Sequence, residues 1–231
     1  MKIFTKKEMI ARNAKIGKYS GILSLLVLGG GLYVSFRHPE QVWISLAALA
    51  VGFVLSQISM YFVNRWGRSP RPDEALNQAL KGLDDRYALY HYSTPASHLL
   101  VGPAGLWILL PYYHKGKITY NEKKERWQRK GGNLYLRIFA QDSIGRPTKD
   151  IAYERKSIKK ELSQIPDFEL PPIQAALVFT HEEAQIEADN TPHPTLHVLQ
   201  LKKFIRKRAK SRESLSMIDV KIIQDSLGLE K

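Results

Sequence analysis

The chain has 231 residues, 35 Lys and Arg against 22 Asp and Glu, a formal net charge of +13, and no cysteine. The lack of thiols excludes disulfides and thiolate metal centres and suits a reducing compartment. The length allows one full domain plus an appendage, and the charge favours polyanionic partners, nucleic acid or anionic lipid, without choosing between them.

Residues 1–18 carry Lys2, Lys6, Lys7, Arg12, Lys15 and Lys18 against Glu8 and read as a basic cytoplasmic segment. Two apolar runs without charged side chains follow, 19–36 and 42–63. As helices they are about 27 Å and about 33 Å long, enough for a ~30 Å hydrocarbon core. They predict a transmembrane hairpin over 19–66. A cleaved signal peptide fits less well, because the second run follows after only Arg37-His38-Pro39-Glu40-Gln41 and no small-residue cleavage site intervenes. Basic residues flank the outer ends, with Arg65, Arg68 and Arg71 after the second run, whereas the loop has Arg37 alone. The positive-inside rule therefore places both termini and the main domain in the cytoplasm. Trp43, Tyr61 and Trp66 fall where interfacial aromatics are expected. Gly29, Gly30, Gly31, Ala48, Gly52 and Ser56 permit close backbone approach, read here as packing within the hairpin rather than dimerisation.

Ser69-Pro70-Arg71-Pro72 ends the membrane part and opens a cytoplasmic domain over 67–210. Ala75, Leu76, Ala79, Leu80 and Leu83 fall at helical spacing. Residues 87–92 alternate and predict a strand. From Ser97 to Leu110, two apolar runs flank Gly102-Pro103-Ala104-Gly105, which predicts a β-hairpin buried on both faces at the centre of a sheet. Strands are expected at 117–120 and 126–129, and an extended piece at 134–139. A helix follows at 148–164 with Ile151, Ile158 and Leu162 on one side, then a buried strand at 173–180 and a helix at 199–208. A last helix near 213–227 reads as a peripheral part of a tail, 211–231. The order predicts a mixed α/β (α+β) fold, a small central mixed β-sheet flanked by helices.

This arrangement, over roughly 72–208, resembles the nuclease-related domain (NERD) of the PD-(D/E)XK nuclease superfamily, especially membrane-anchored bacterial forms with two amino-terminal spans. Asp73-Glu74-Ala75-Leu76 corresponds to the helix bearing a Glu, and Ser97 to Gly105 to the strand and turn. Trp107 to Tyr112 with Gly116 corresponds to the second strand, and Pro172 to Thr180 to the late core strand. The resemblance implies a restriction-endonuclease-like fold in a bacterial inner membrane protein. It also implies a Mg²⁺ site whose Asp, Glu and Lys would fall at Ser97, Leu110 and Tyr112, beside Glu74. A serine is a weak ligand for a hard cation, a leucine is none, and tyrosine does not replace an ammonium. The expectation is therefore a degenerate site, with no metal, cofactor or catalysis. A divalent-metal-dependent nuclease is the alternative, with ligands relocated to Glu74 and an acid from 182–189.

Other clusters have plainer readings. His181, Glu182, Glu183, Glu187, Asp189, His193 and His197 read as a solvated acidic loop, since Pro192 and Pro194 forbid one regular helix. His98 should face the opposite side of the sheet from Ser97, and it and His114 read as satisfied core or rim histidines. Tyr87, Tyr90, Tyr92, Tyr112, Tyr113, Tyr120, Trp127 and Tyr135 read mostly as packing. Lys202, Lys203, Arg206, Lys207, Arg208, Lys210 and Arg212 form a basic run, the candidate contact for anionic lipid headgroups or nucleic acid. The function expected is a membrane-anchored binding or scaffolding module, for nucleic acid or a protein partner, without enzymatic activity.

Overall fold

The computed structural model describes residues 1–130, 144–211 and 214–228. The expected extended piece at 134–139 lies outside them, as do Tyr135, Arg212 and Glu213. The chain divides into two compact units, one of Lys7–Arg71 and one of Met1–Lys6 with Pro72–Lys231.

The first unit is a helical hairpin of α1 (Lys7–Arg37) and α2 (Val42–Phe62), with a short π-helical turn at Val63–Gly67. Both helices are long and apolar enough to cross a membrane. Their outer faces leave Leu25, Leu26, Phe36 and Trp43 exposed. The small residues pack the hairpin against itself. A Cβ on Gly31 would lie 2.5 Å from the Ala48 methyl, and one on Gly52 would lie 2.5 Å from Leu28. Ser24 Oγ donates to Gly52 O at 2.7 Å, and Ser59 Oγ donates to Gly17 O at 2.7 Å. Gly29 and Gly30 have nothing near their absent Cβ positions. Tyr61, Phe62 and Trp66 gather their rings at the far end of α2, within 5.2–5.8 Å of one another.

The second unit is mixed α+β. Its elements are β1 (Lys2–Thr5), α3 (Pro72–Leu80), β2 (Ala88–His91), β3 (His98–Gly102), β4 (Gly105–Tyr112), β5 (Gly116–Asn121), β6 (Arg126–Lys130), α4 (Pro147–Leu162), β7 (Ile173–Phe179), β8 (Ala184–Glu187), β9 (Thr195–His197), α5 (Val198–Arg208) and α6 (Met217–Gly228). The main sheet has the order β1-β2-β3-β4-β7-β9, and a smaller one has β6-β5-β8. The expected hairpin is β3–β4, paired from Leu99↔Ile108 to Gly102↔Gly105, at the centre of the main sheet. Gly105 sits at φ +108°, the backbone region open to glycine that closes so tight a turn. Trp107 Nε1 donates to Ala104 O at 2.8 Å and ties the strand to its own turn.

Strand alternation sorts the core into two layers. On one face Tyr90, Leu99, Val101, Leu106, Ile108, Leu177 and Phe179 meet Ile151, Ile158 and Leu162 of α4 and Ile223 and Leu227 of α6. On the other, Leu89, Leu100, Trp107, Leu109 and Val178 meet Leu76 and Leu80 of α3 and Leu201 and Ile205 of α5. The result is a mixed sheet between two helical layers.

Two expected boundaries shift. The basic leader of 1–18 is not one segment, because Lys2–Thr5 pairs in parallel with β2 and forms an edge of the main sheet. Phe4 stacks on Tyr90 with centroids 4.9 Å apart, and α1, beginning at Lys7, contains the apolar run 19–36. The carboxy-terminal helix is not peripheral. Val220, Ile223 and Leu227 fall on one helical face and are buried, and Gln224 Nε2 donates to Arg86 O at 2.9 Å.

Candidate functional site

β3 runs antiparallel to β2 and β4, and β4 runs parallel to β7. The carboxyl ends of β2, β4 and β7 and the start of β3 therefore share one end of the sheet. Ser97, Leu110 and Tyr112 lie toward this end. Leu110 and Tyr112 pack against the α4–α6 layer, and the Tyr112 ring stacks on Phe179 at 5.6 Å and on His114 at 6.1 Å. Ser97 turns to the same layer, where Glu154 Oε1 of α4 accepts from Ser97 Oγ at 2.9 Å and from Ser97 N at 3.3 Å. The three expected nuclease positions thus share one face and one end of the sheet. Glu74 belongs to α3, which packs on the other face.

Glu154 is the residue that sequence reading missed. It stands three residues after Ile151 and four before Ile158, so it lies on the flank of the apolar stripe that α4 turns to the core. An acid in that position was the available signal.

The opposite face of the same sheet end holds a buried histidine pair. His91 and His98 are 0% and 1% exposed, with Nδ1 atoms 2.7 Å apart. His91 Nε2 meets Asn77 Oδ1 of α3 at 3.0 Å. With that oxygen as acceptor, His91 carries its proton on Nε2 and its Nδ1 takes the proton of His98 Nδ1. Burial pushes the His91 pKa down to about 4, against the opposing pull of the Asp73 carboxylate. His98 does face away from Ser97, as strand alternation requires.

Several of the remaining candidates are used structurally. Glu187 pairs with Lys117 across β5 and β8. His181 Nδ1 accepts from Glu183 N at 3.1 Å. His197 caps α5 by accepting from Leu199 N at 3.3 Å, and its Nε2 donates to His181 O at 3.1 Å. Among the described residues, no three His, Cys, Asp or Glu side chains converge as a metal-binding group. Tyr87, Tyr90 and Trp127 are buried, whereas Tyr113 is exposed.

Part of the basic run of α5 is also committed to the fold. Lys202 Nζ donates to Lys81 O at 3.1 Å and Arg206 to Gly82 O at 2.8 Å, where α3 ends. These cations meet the negative end of that helix. The Arg208 guanidinium lies over Trp107 and Phe204, 5.8 and 5.4 Å from their centroids. Lys203, Lys207 and Lys210 remain exposed.

Comparison with protein-family models, curated proteins and solved structures finds no match to the chain.

Proposed function

We propose that this chain is a two-span protein of a bacterial inner membrane whose cytoplasmic domain is nuclease-related (NERD-like) and binds rather than cuts. It acts as a scaffold at the membrane for nucleic acid or a protein partner. The observation that carries this reading is the makeup of the sheet end where a nuclease would hold Mg²⁺. Leu110 and Tyr112 are packed against the core there, and Ser97 is bonded to a helix carboxylate. Among the described residues no three His, Cys, Asp or Glu side chains gather there as hard-cation ligands.

The membrane part of the reading is supported by the exposed apolar faces of α1 and α2. It is supported again by β1. The residues before the hairpin and those after it build one sheet, a connection satisfied when both ends of the hairpin open on the same side.

The alternative of an active nuclease draws on one observation, the Glu154 carboxylate 2.9 Å from Ser97 Oγ. One assay separates the two readings. Full-length protein in detergent is incubated with Mg²⁺ or Mn²⁺ and supercoiled or single-stranded DNA. Intact DNA is the expected result. Cleavage that disappears in Glu154→Gln would establish the alternative.

A further inference from the structure

The outer face of α4 carries a cationic stripe separate from the basic run of α5. Lys149, Tyr153, Lys156 and Lys160 fall within about 60° of helical arc, at 100° per residue. That arc lies diametrically across the helix from Ile151, Ile158 and Leu162, which are buried. Lys159 borders it. All four lysines are exposed, and Tyr153 is 73% exposed, an aromatic ring left in water on a helix whose apolar face is fully used. These ammonium groups are held in no ion pair among the described residues. The acids nearest the stripe, Asp150 and Glu161, sit on its flank. Arg155 is turned toward the core side.

We propose that this stripe is a docking face for an anionic phospholipid surface, an inference that rests on the membrane-anchored binding module proposed above. Three features favour lipid headgroups over a nucleic-acid backbone. The cations along the body of the stripe, Lys149, Lys156 and Lys160, are lysines, compact point charges, and the guanidinium fork that reads paired phosphate oxygens and bases enters only with the exposed Arg146 at the helix N-cap. The lone exposed aromatic is a tyrosine, a ring that settles at headgroup depth with its hydroxyl toward water. The apolar residues of α4 are already committed to the core, so the helix lies against a charged surface without inserting, and the contact is electrostatic and salt-sensitive.

The absence of cysteine makes the test direct. Full-length protein carrying Ala152→Cys with a fluorophore is reconstituted into vesicles of phosphatidylcholine alone, or of phosphatidylcholine with phosphatidylglycerol. Each set contains a trace of headgroup-nitroxide lipid as quencher. Quenching at position 152 is expected to rise in the anionic vesicles and to return to the neutral value at high salt. Each lysine near an anionic surface shifts the docked-to-undocked ratio by about fivefold, so Lys156→Gln with Lys160→Gln should lower it by more than about tenfold. A fluorophore at Lys203→Cys on α5 is expected to show no dependence on lipid charge.

Equal quenching in both vesicle types, insensitivity to the two substitutions, or a charge response at position 203 matching that at 152 would overturn the proposal. So would a single-stranded oligonucleotide changing the emission at 152 in neutral vesicles, which would make the stripe a nucleic-acid face. The lysine substitutions lie away from Ser97 and Glu154, so the DNA-cleavage result stands or falls separately.

Discussion

The Ser97–Glu154 contact ties the start of β3 to α4. Its carboxylate oxygen takes two hydrogen bonds from one residue, side chain and backbone. Hydrogen bonds to charged groups contribute more than neutral ones. Ser97→Ala is therefore expected to lower stability by about 1–2 kcal/mol in urea unfolding of the full chain, while leaving the fold intact. The histidine pair on the opposite face makes a pH prediction. The His91 pKa is about 4 in the folded chain and about 6.5 in an unfolded one. Between those values the unfolded chain binds more protons, so stability rises with pH through this window and is level above it. Acidifying from about pH 6.5 to about pH 4 should cost about 3 kcal/mol from this group. Unfolding midpoints measured across that range check the slope, which should flatten in His91→Gln. Of this site, the orientation of His98 was legible from strand alternation. Its partner His91 was not, because a contact seven residues away depends on the register of two strands.

At the scale of elements, local patterns were readable and long-range closures were not. The hairpin β3–β4 announces itself by two apolar runs around a Gly-Pro-Ala-Gly turn, and α4 by its buried stripe of isoleucines and leucine. β1 has only four residues inside a basic flank and gains its strand character from a parallel partner more than eighty residues away. Charge drew attention there, whereas Phe4 supplies the contact. Phe4→Ala is expected to cost about 1–2 kcal/mol through the lost ring stacking on Tyr90, while Ile3→Ala, at a side chain 48% exposed, stays near neutral. Deleting residues 2–5 should bare the edge of β2, a fully buried strand, and produce aggregation visible in size-exclusion chromatography. The last helix repeats the lesson. Val220, Ile223 and Leu227 have the spacing of a core stripe and are buried in a helix expected to be peripheral. Ile223→Ala is expected to lower stability by about 2–4 kcal/mol, the loss of a core residue, where a peripheral helix would lose almost nothing.

At the scale of the molecule, the apolar hairpin α1–α2 interrupts the unit built from Met1–Lys6 and Pro72–Lys231. Among the described residues, the main sheet takes its edge strand β1 from before α1 and its other strands from after α2. The basic flanks and the uncharged spans were legible from composition, and in the proposed reading they put both ends of the hairpin on one side. If the hairpin spans a membrane as proposed, the pairing of β1 with β2 is an argument for that topology independent of the positive-inside rule. Single cysteines introduced as Lys6→Cys, Glu40→Cys and Lys203→Cys, all at exposed positions, test this directly with a membrane-impermeant maleimide on right-side-out and inverted vesicles. The account predicts that positions 6 and 203 label together in inverted vesicles, while position 40 labels in right-side-out ones. Labelling of positions 6 and 203 from opposite sides would contradict it.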